Sequence, residues 1–332
     1  MKIGIPQALL YYYYLPFWER LFTELGFEVY ESGLTTKDIL DNGSKAAVAD
    51  ICAPIKIYTG HVIDCLNNSD FVFIPRFSSI QKNEYFCPKF MGLPDIIVGT
   101  VENSEKKIIS PIINDISEDI CDPRSYDILI DKFGFSYREL NNALKKANKV
   151  FTRFKKLLHN GLSLDKALFS YKQNFWEEYL YSIKKNGEIN IAVLGYVYNL
   201  YDPFISLDVV KKLEELNVNI FTFEMVNHDD AYKQLSKYRK KLFWTFSNRV
   251  LGAGLYYLNN NIIDGMIHVT AFGCGPDAIV GKFLQYECDE RSIPFTTLRI
   301  DEHTGEGHLV TRIEAFTDMI KRKKAQTLEV KL

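Results

Sequence analysis

The chain has 332 residues, 47% of them hydrophobic and 14% aromatic, which supports a packed core and exceeds one ordinary domain, so two domains are expected. Forty basic against 42 acidic residues leave a formal charge of -2 with no basic stripe, which excludes nucleic acid as a partner. No apolar run reaches the ~18 to 20 residues that a bilayer span needs, and the six cysteines read as reduced thiols rather than a disulfide framework, so a cytoplasmic protein without a membrane partner is expected.

In chain order, the sequence predicts a strand at Lys2 to Ile5, a helix at Phe17 to Leu25, a strand at Phe27 to Tyr30 and a helix at Thr36 to Asp41. A helix at Ile55 to Leu66 and a strand at Phe71 to Pro75 follow. The pattern recurs as strands Ile189 to Leu194, Ile220 to Phe223, Gly265 to Phe272 and Phe295 to Ile300, separated by helices Leu207 to Leu216, Asp230 to Tyr238 and Asp277 to Glu290 and closed by Arg312 to Lys321. Such alternation implies α/β lobes, each with a parallel sheet covered on both faces. Between them, Tyr137 to Lys185 is helical in pattern, with lysines opposite an aromatic stripe. The expected organisation is an N-terminal lobe over 1–133, a helical connector over 134–186 and a C-terminal lobe over 187–332. Four tyrosines in a row, Tyr11 to Tyr14, cannot all be buried on this reading and are expected at a pocket mouth or on a packed lobe surface.

The cysteines carry the chemistry. Cys274 lies in Phe272-Gly273-Cys274-Gly275-Pro276-Asp277, between an apolar strand and a helix, where permissive glycines and a helix dipole favour a thiolate. Cys52 precedes Ala53-Pro54 and Cys87 precedes Pro88, each where loop gives way to helix or turn. Three such thiols make a candidate metal site assembled by tertiary folding, because their spacing is far too long for a Cys-x-x-Cys ribbon. Cys121, two residues before Pro123, is the reserve ligand. Cys65 and Cys288 fall inside helical patterns and read as small buried hydrophobes.

Ligands of open parallel sheets sit beyond the strand carboxyl ends, where Cys274, the segment Gly195 to Pro203 and the loop Asp301-Glu302-His303-Thr304-Gly305 are expected. Asp301, Glu302 and His303 have the composition for acid/base catalysis, although adjacent residues on an extended segment point to opposite sides. The bland alternatives are pairing with Arg312 or capping of the next helix. Asp277 reads equally as an acid and as a dipole-compensating residue, and His61 as a satisfied structural histidine. No P-loop, no Gly-x-Gly-x-x-Gly after a strand and no Gly-x-Ser-x-Gly elbow occurs, which argues against nucleotide hydrolysis and serine-hydrolase chemistry within the chain.

Taken together, Ile3-Gly4-Ile5-Pro6, Thr59-Gly60-His61-Val62, Ile74-Pro75-Arg76, Cys87-Pro88, Gly273-Cys274-Gly275-Pro276-Asp277 and Asp301 to Gly305 through Thr311 to Phe316 resemble the acyl-CoA dehydratase activase-related proteins. These are relatives of the iron-sulfur subunits of 2-hydroxyacyl-CoA dehydratases and benzoyl-CoA reductases. The resemblance implies two Rossmann-like lobes with a [4Fe-4S] cluster at the lobe interface, held by Cys52, Cys87 and Cys274 with one iron site open. It implies an ATP-dependent activator protein as electron donor, an acyl-CoA or other small molecule as acceptor, a homologous subunit or homodimer, and a dehydratase or reductase component. A double-cubane cluster would draw in Cys121. The alternatives are a non-catalytic cluster-binding or activator-binding partner protein and an enzyme with a three-cysteine zinc site.

Overall fold

The computed structural model describes residues 1–116, 120–176 and 185–329, and the chain divides into two compact units, Met1–Lys156 with Leu242–Thr245, and Leu157–Lys241 with Phe246–Leu332.

The first unit begins β1 (Lys2–Ile5), α1 (Tyr11–Glu24), β2 (Glu28–Glu31), α2 (Lys37–Ala46), α3 (Ala53–Asn68), β3 (Phe71–Phe73) and β4 (Arg76–Ile80). It continues with α4 (Pro88–Met91), α5 (Leu93–Thr100), β5 (Ile108–Ile109), β6 (Ile112–Asp115), α6 (Asp127–Phe133) and most of α7 (Tyr137–His159). Its main sheet is parallel in the order β2-β1-β3-β5, with Ile3 opposite both Val29 and Phe71. The chain reverses direction across the sheet between β1 and β3, which opens the crevice where doubly wound sheets take ligands. Beyond the carboxyl edge β3 and β5 run on as a two-stranded parallel ribbon, β4 with β6, bridged by Ile74 N–H to Ile109 O and Arg76 N–H to Pro111 O at 2.9 Å each. Pro75 and Pro111, lacking N–H groups, interrupt the ladder between sheet and ribbon.

Helix α1 begins earlier than the sequence pattern indicated, and this corrects the reading of the tyrosine run: Tyr11, Tyr12, Tyr13 and Tyr14 are all buried. Four successive helical residues point all round the axis, so full burial requires cover on every side. Tyr14 packs on Phe77 and Phe151 with ring centroids 5.5 and 5.4 Å apart, Tyr13 sets its ring edge-on to Phe151, and the Tyr11 and Tyr12 hydroxyls donate to Glu31 and to the Gln7 carbonyl. Phe151 stands on α7, whose Leu140, Leu144, Ala147, Phe151 and Phe154 form the buried stripe expected of an amphipathic helix. The segment Leu242–Thr245 joins this unit through Tyr85, whose N–H donates to Phe243 O and whose carbonyl accepts from Thr245 N–H, both at 3.0 Å.

The second unit contains α8 (Leu164–Lys172), β7 (Ile189–Leu194), α9 (Val197–Tyr201), α10 (Pro203–Ser206), α11 (Val209–Glu215), β8 (Val218–Phe221) and α12 (His228–Gln234). α13 (Thr245–Asn259), β9 (Gly265–Ala271), α14 (Gly275–Glu290), β10 (Phe295–Ile300) and α15 (Glu306–Glu329) complete it. Its sheet, β10-β9-β7-β8, is again fully parallel and has the same reversal, here between β7 and β9. Every residue of β9 is buried, which is why it reads as a near-continuous apolar run rather than an alternating one. The fold is therefore the expected pair of Rossmann-like α/β lobes. The helical pattern of 134–186 is realised as α7 and α8, and the part expected over 177–184 lies outside the described residues. Among the described residues no helix is long and apolar enough to cross a membrane.

Candidate functional site

Cys52, Cys87 and Cys274 occupy the same local structure. Each is the N-cap of a helix, α3, α4 and α14 respectively, with extended backbone at the cysteine and proline at one of the first two helical positions. Proline suits those positions because its missing N–H would find no intrahelical partner there, and the remaining first-turn N–H groups give the helix end its positive potential. None of the three is fully buried.

Two of them lie within electrostatic reach of each other in the first unit. Cys52 opens α3 at the carboxyl edge of the main sheet, and Cys87 follows the β4–β6 ribbon that continues that edge. Burial pushes the Cys87 thiol above its ordinary pKa. The amides of Phe90 and Lys89 at the start of α4 oppose that rise, and the charge of a nearby Cys52 thiolate adds to it. Position of Cys52 depends on how closely α2 crosses α3: a Cβ on Gly43 would lie 1.9 Å from Lys56 O, and one on Gly60 1.9 Å from Ile39 O. The crevice between β1 and β3 is closed by apolar side chains, among them Leu10, Tyr58, Phe77, Phe90 and Leu93.

In the second unit Cys274 lies just past the carboxyl end of β9, beside the sheet reversal. Phe272 N–H still pairs with Ile300 O, Gly273 turns the chain at φ +75°, and Cys274 N–H returns to Ala271 O. Behind it stands a pair that sequence reading missed. His268, in the middle of β9, places Nε2 3.0 Å from Asp277 Oδ1, with both side chains buried. Gly281, one turn beyond Asp277, leaves room for the imidazole, since a Cβ there would lie 2.5 Å from His268 Nδ1. Asp277 is thus neither an exposed acid nor only a dipole-compensating residue; it ties the first turn of α14 to the central strand. The one sequence signal for this was a histidine in an otherwise apolar strand.

The remaining candidates separate by environment. Asp301 organises its own turn: Oδ1 accepts from His303 N–H and Thr304 Oγ1 at 2.9 Å each, with His303 itself exposed. Arg312 donates to Thr296 Oγ1 and Thr297 O rather than to the acidic loop. His61 is fully enclosed, with Ser32 Oγ and Thr35 Oγ1 each 2.8 Å from a ring nitrogen, and burial lowers its pKa to about 4. Cys65 and Cys288 are buried; desolvation raises both thiols, Cys288 to about 12, as their reading as small hydrophobes requires. Cys121 lies in the loop before the short 3-10 turn Pro123–Tyr126 and is half-buried. Among the described residues no three His, Cys, Asp or Glu side chains are grouped to hold one metal ion.

The architecture defines a class: a two-unit α/β protein whose partly accessible thiols stand at helix N-termini on the carboxyl side of parallel sheets. The chain belongs to the CoA enzyme activase uncharacterised domain family, whose model matches residues 2–226. That span includes Cys52 and Cys87 and stops before Cys274. No curated protein matches the chain.

Proposed function

We propose that this protein works in a CoA-enzyme activation system as a thiol-bearing electron carrier, taking a low-potential electron from an ATP-dependent activator protein and handing it to an acyl-CoA or another small acceptor. In this reading Cys52, Cys87 and Cys274 are the ligands of a [4Fe-4S] cluster. The observation that carries it is the Cys52–Cys87 pair, two thiols from different helix N-termini close enough for the charge of one to act on the other. The donor set suits the group, because iron-sulfur clusters are held by cysteine thiolates, and when bound such a cluster supplies one-electron chemistry at a potential set by charge, hydrogen bonds and exposure. The chain's own part is to hold deprotonated sulfur. The Phe90 and Lys89 amides favour a Cys87 thiolate, against the partial burial that disfavours it. Loading displaces the thiol proton, so it is favoured as pH rises.

Iron and acid-labile sulfide per chain, measured on protein purified without oxygen, test the assignment together with Cys52→Ser, Cys87→Ser and Cys274→Ser. About four of each in the parent, lost in all three variants, is the expected result for a cubane cluster. Iron retained in Cys274→Ser would remove that residue from the ligand set. No iron after anaerobic reconstitution would leave the second reading, an activator-binding partner without a cluster, to which membership of a CoA enzyme activase family lends support.

A further inference from the structure

An open pocket on the second unit, remote in sequence from every cysteine above, is lined by Ser163 and Lys166 from the start of α8 and by Lys185, Glu214, Asn219 and Met225. Ser163 is the N-cap of α8, yet its side chain caps nothing. It is 6% exposed and its hydroxyl has no hydrogen-bond partner, an uncommon state for a buried polar group. The first-turn amides of α8 add the donors and partial positive charge that anions find at helix N-termini.

Two ammonium groups complete the wall. Lys166 is paired with Glu214 at 2.6 Å. Among the described residues Lys185 forms no ion pair; it donates to the Ile220 carbonyl, lies 3.8 Å from Met225 Sδ and stands 4.2 Å from the centre of the Phe221 ring. Burial, helped by the charge of Lys166 and partly offset by Glu214, lowers its pKa to about 8. Among the described residues the groups facing it are therefore Lys166 from α8 and Glu214 from α11, with uncharged Asn219, Ile220 and Phe221 from β8. Among the described residues the pocket wall carries two ammonium groups and the Glu214 carboxylate, which is paired with Lys166; Asp165, in the first turn of α8, is exposed and does not line the pocket.

We propose that this pocket binds a phosphate group, which accepts hydrogen bonds from the first-turn amides of α8, the Ser163 hydroxyl and the Lys185 ammonium. The group is free phosphate or the terminal phosphomonoester of a larger molecule. The site is independent of the cysteines, so its failure and failure of the cluster assignment are separate results.

Calorimetric titration of the full chain with inorganic phosphate, sulfate and adenosine monophosphate tests it. Lys185→Gln is expected to weaken phosphate binding by about tenfold to a hundredfold, the range for removing one charge-assisted hydrogen bond, with Ser163→Ala costing several-fold and Lys185→Arg retaining most affinity. Sulfate keeps its double charge between about pH 7 and about pH 9, so a fall in its affinity across that window reports loss of the Lys185 proton; Lys185→Arg abolishes the fall. Tighter binding of adenosine monophosphate than of phosphate assigns the site to an organic phosphate, and equal binding assigns it to the free ion. Absence of binding, or binding that Lys185→Gln leaves unchanged in a variant with the parent circular dichroism, overturns the proposal.

Discussion

Replacement of Gly60 by alanine tests how the first unit positions Cys52. The added methyl on α3 would lie 1.9 Å from Ile39 O and 2.8 Å from Ile39 C, both backbone atoms of α2. Raising 1.9 Å to the 3.0 Å floor for real Cβ contacts needs about 1.1 Å of separation, and no side-chain rotation supplies it. The helices must move apart along a closely packed crossing. Overpacking of this kind costs typically 1–3 kcal/mol, and a backbone obstacle puts Gly60→Ala at about 3 kcal/mol. For a unit of this size that is a fall in melting temperature of roughly 6–12 °C. Gly99→Ala is the control, because nothing lies within 4 Å of its Cβ on α5; there the same change gains about 0.4–1 kcal/mol by restricting the unfolded chain. Gly43→Ala meets Lys56 O at 1.9 Å across the same crossing, so the double variant Gly43→Ala/Gly60→Ala loses less than the sum of the singles. Thermal melts by circular dichroism decide the matter. A Gly60→Ala protein melting within about 2 °C of the parent would refute the argument from backbone contact.

Two further outcomes follow from the same side chains. His61 has its folded pKa lowered to about 4 from the usual 6.5, so the folded state binds the proton less well than the unfolded chain; its contribution is complete above about pH 6.5 and is lost as pH falls towards 4. The loss amounts to about 3 kcal/mol, visible in urea melts at a series of pH values and flattened in His61→Gln. Buried Cys65 and Cys288, with thiols raised by desolvation, are expected to resist iodoacetamide in the native protein at mildly alkaline pH, whereas half-exposed Cys52 is alkylated; peptide mapping by mass spectrometry reads this out, and labelling of Cys288 at the rate of Cys52 would contradict it.

The alternation of strands and helices was legible because each strand carries a short apolar run and each helix its own start signal. The cysteine N-caps were legible for a local reason: a proline one or two residues after a cysteine cannot sit deep in a helix, so it marks the first turn and places the thiol just before it. Helix α13 was not legible. Gly252 and Gly254 weaken its helical pattern, yet Gly252 is required by close approach, since a Cβ there would lie 2.6 Å from the backbone oxygen of Ala231. The ribbon β4–β6 was hidden by Pro75 and Pro111, which break the strands from which it grows.

The sequence by itself determined the class of fold and the three helix starts at which thiols stand, because propensity, period and proline stereochemistry act over a few residues. Tertiary structure alone decided what those residues face. It buried all four tyrosines by surrounding α1, joined His268 to Asp277 across nine residues, spent Asp301 on its own turn and brought Cys52 within electrostatic reach of Cys87. Contacts between segments far apart in sequence depend on how sheets twist and helices cross, and no local pattern encodes that geometry.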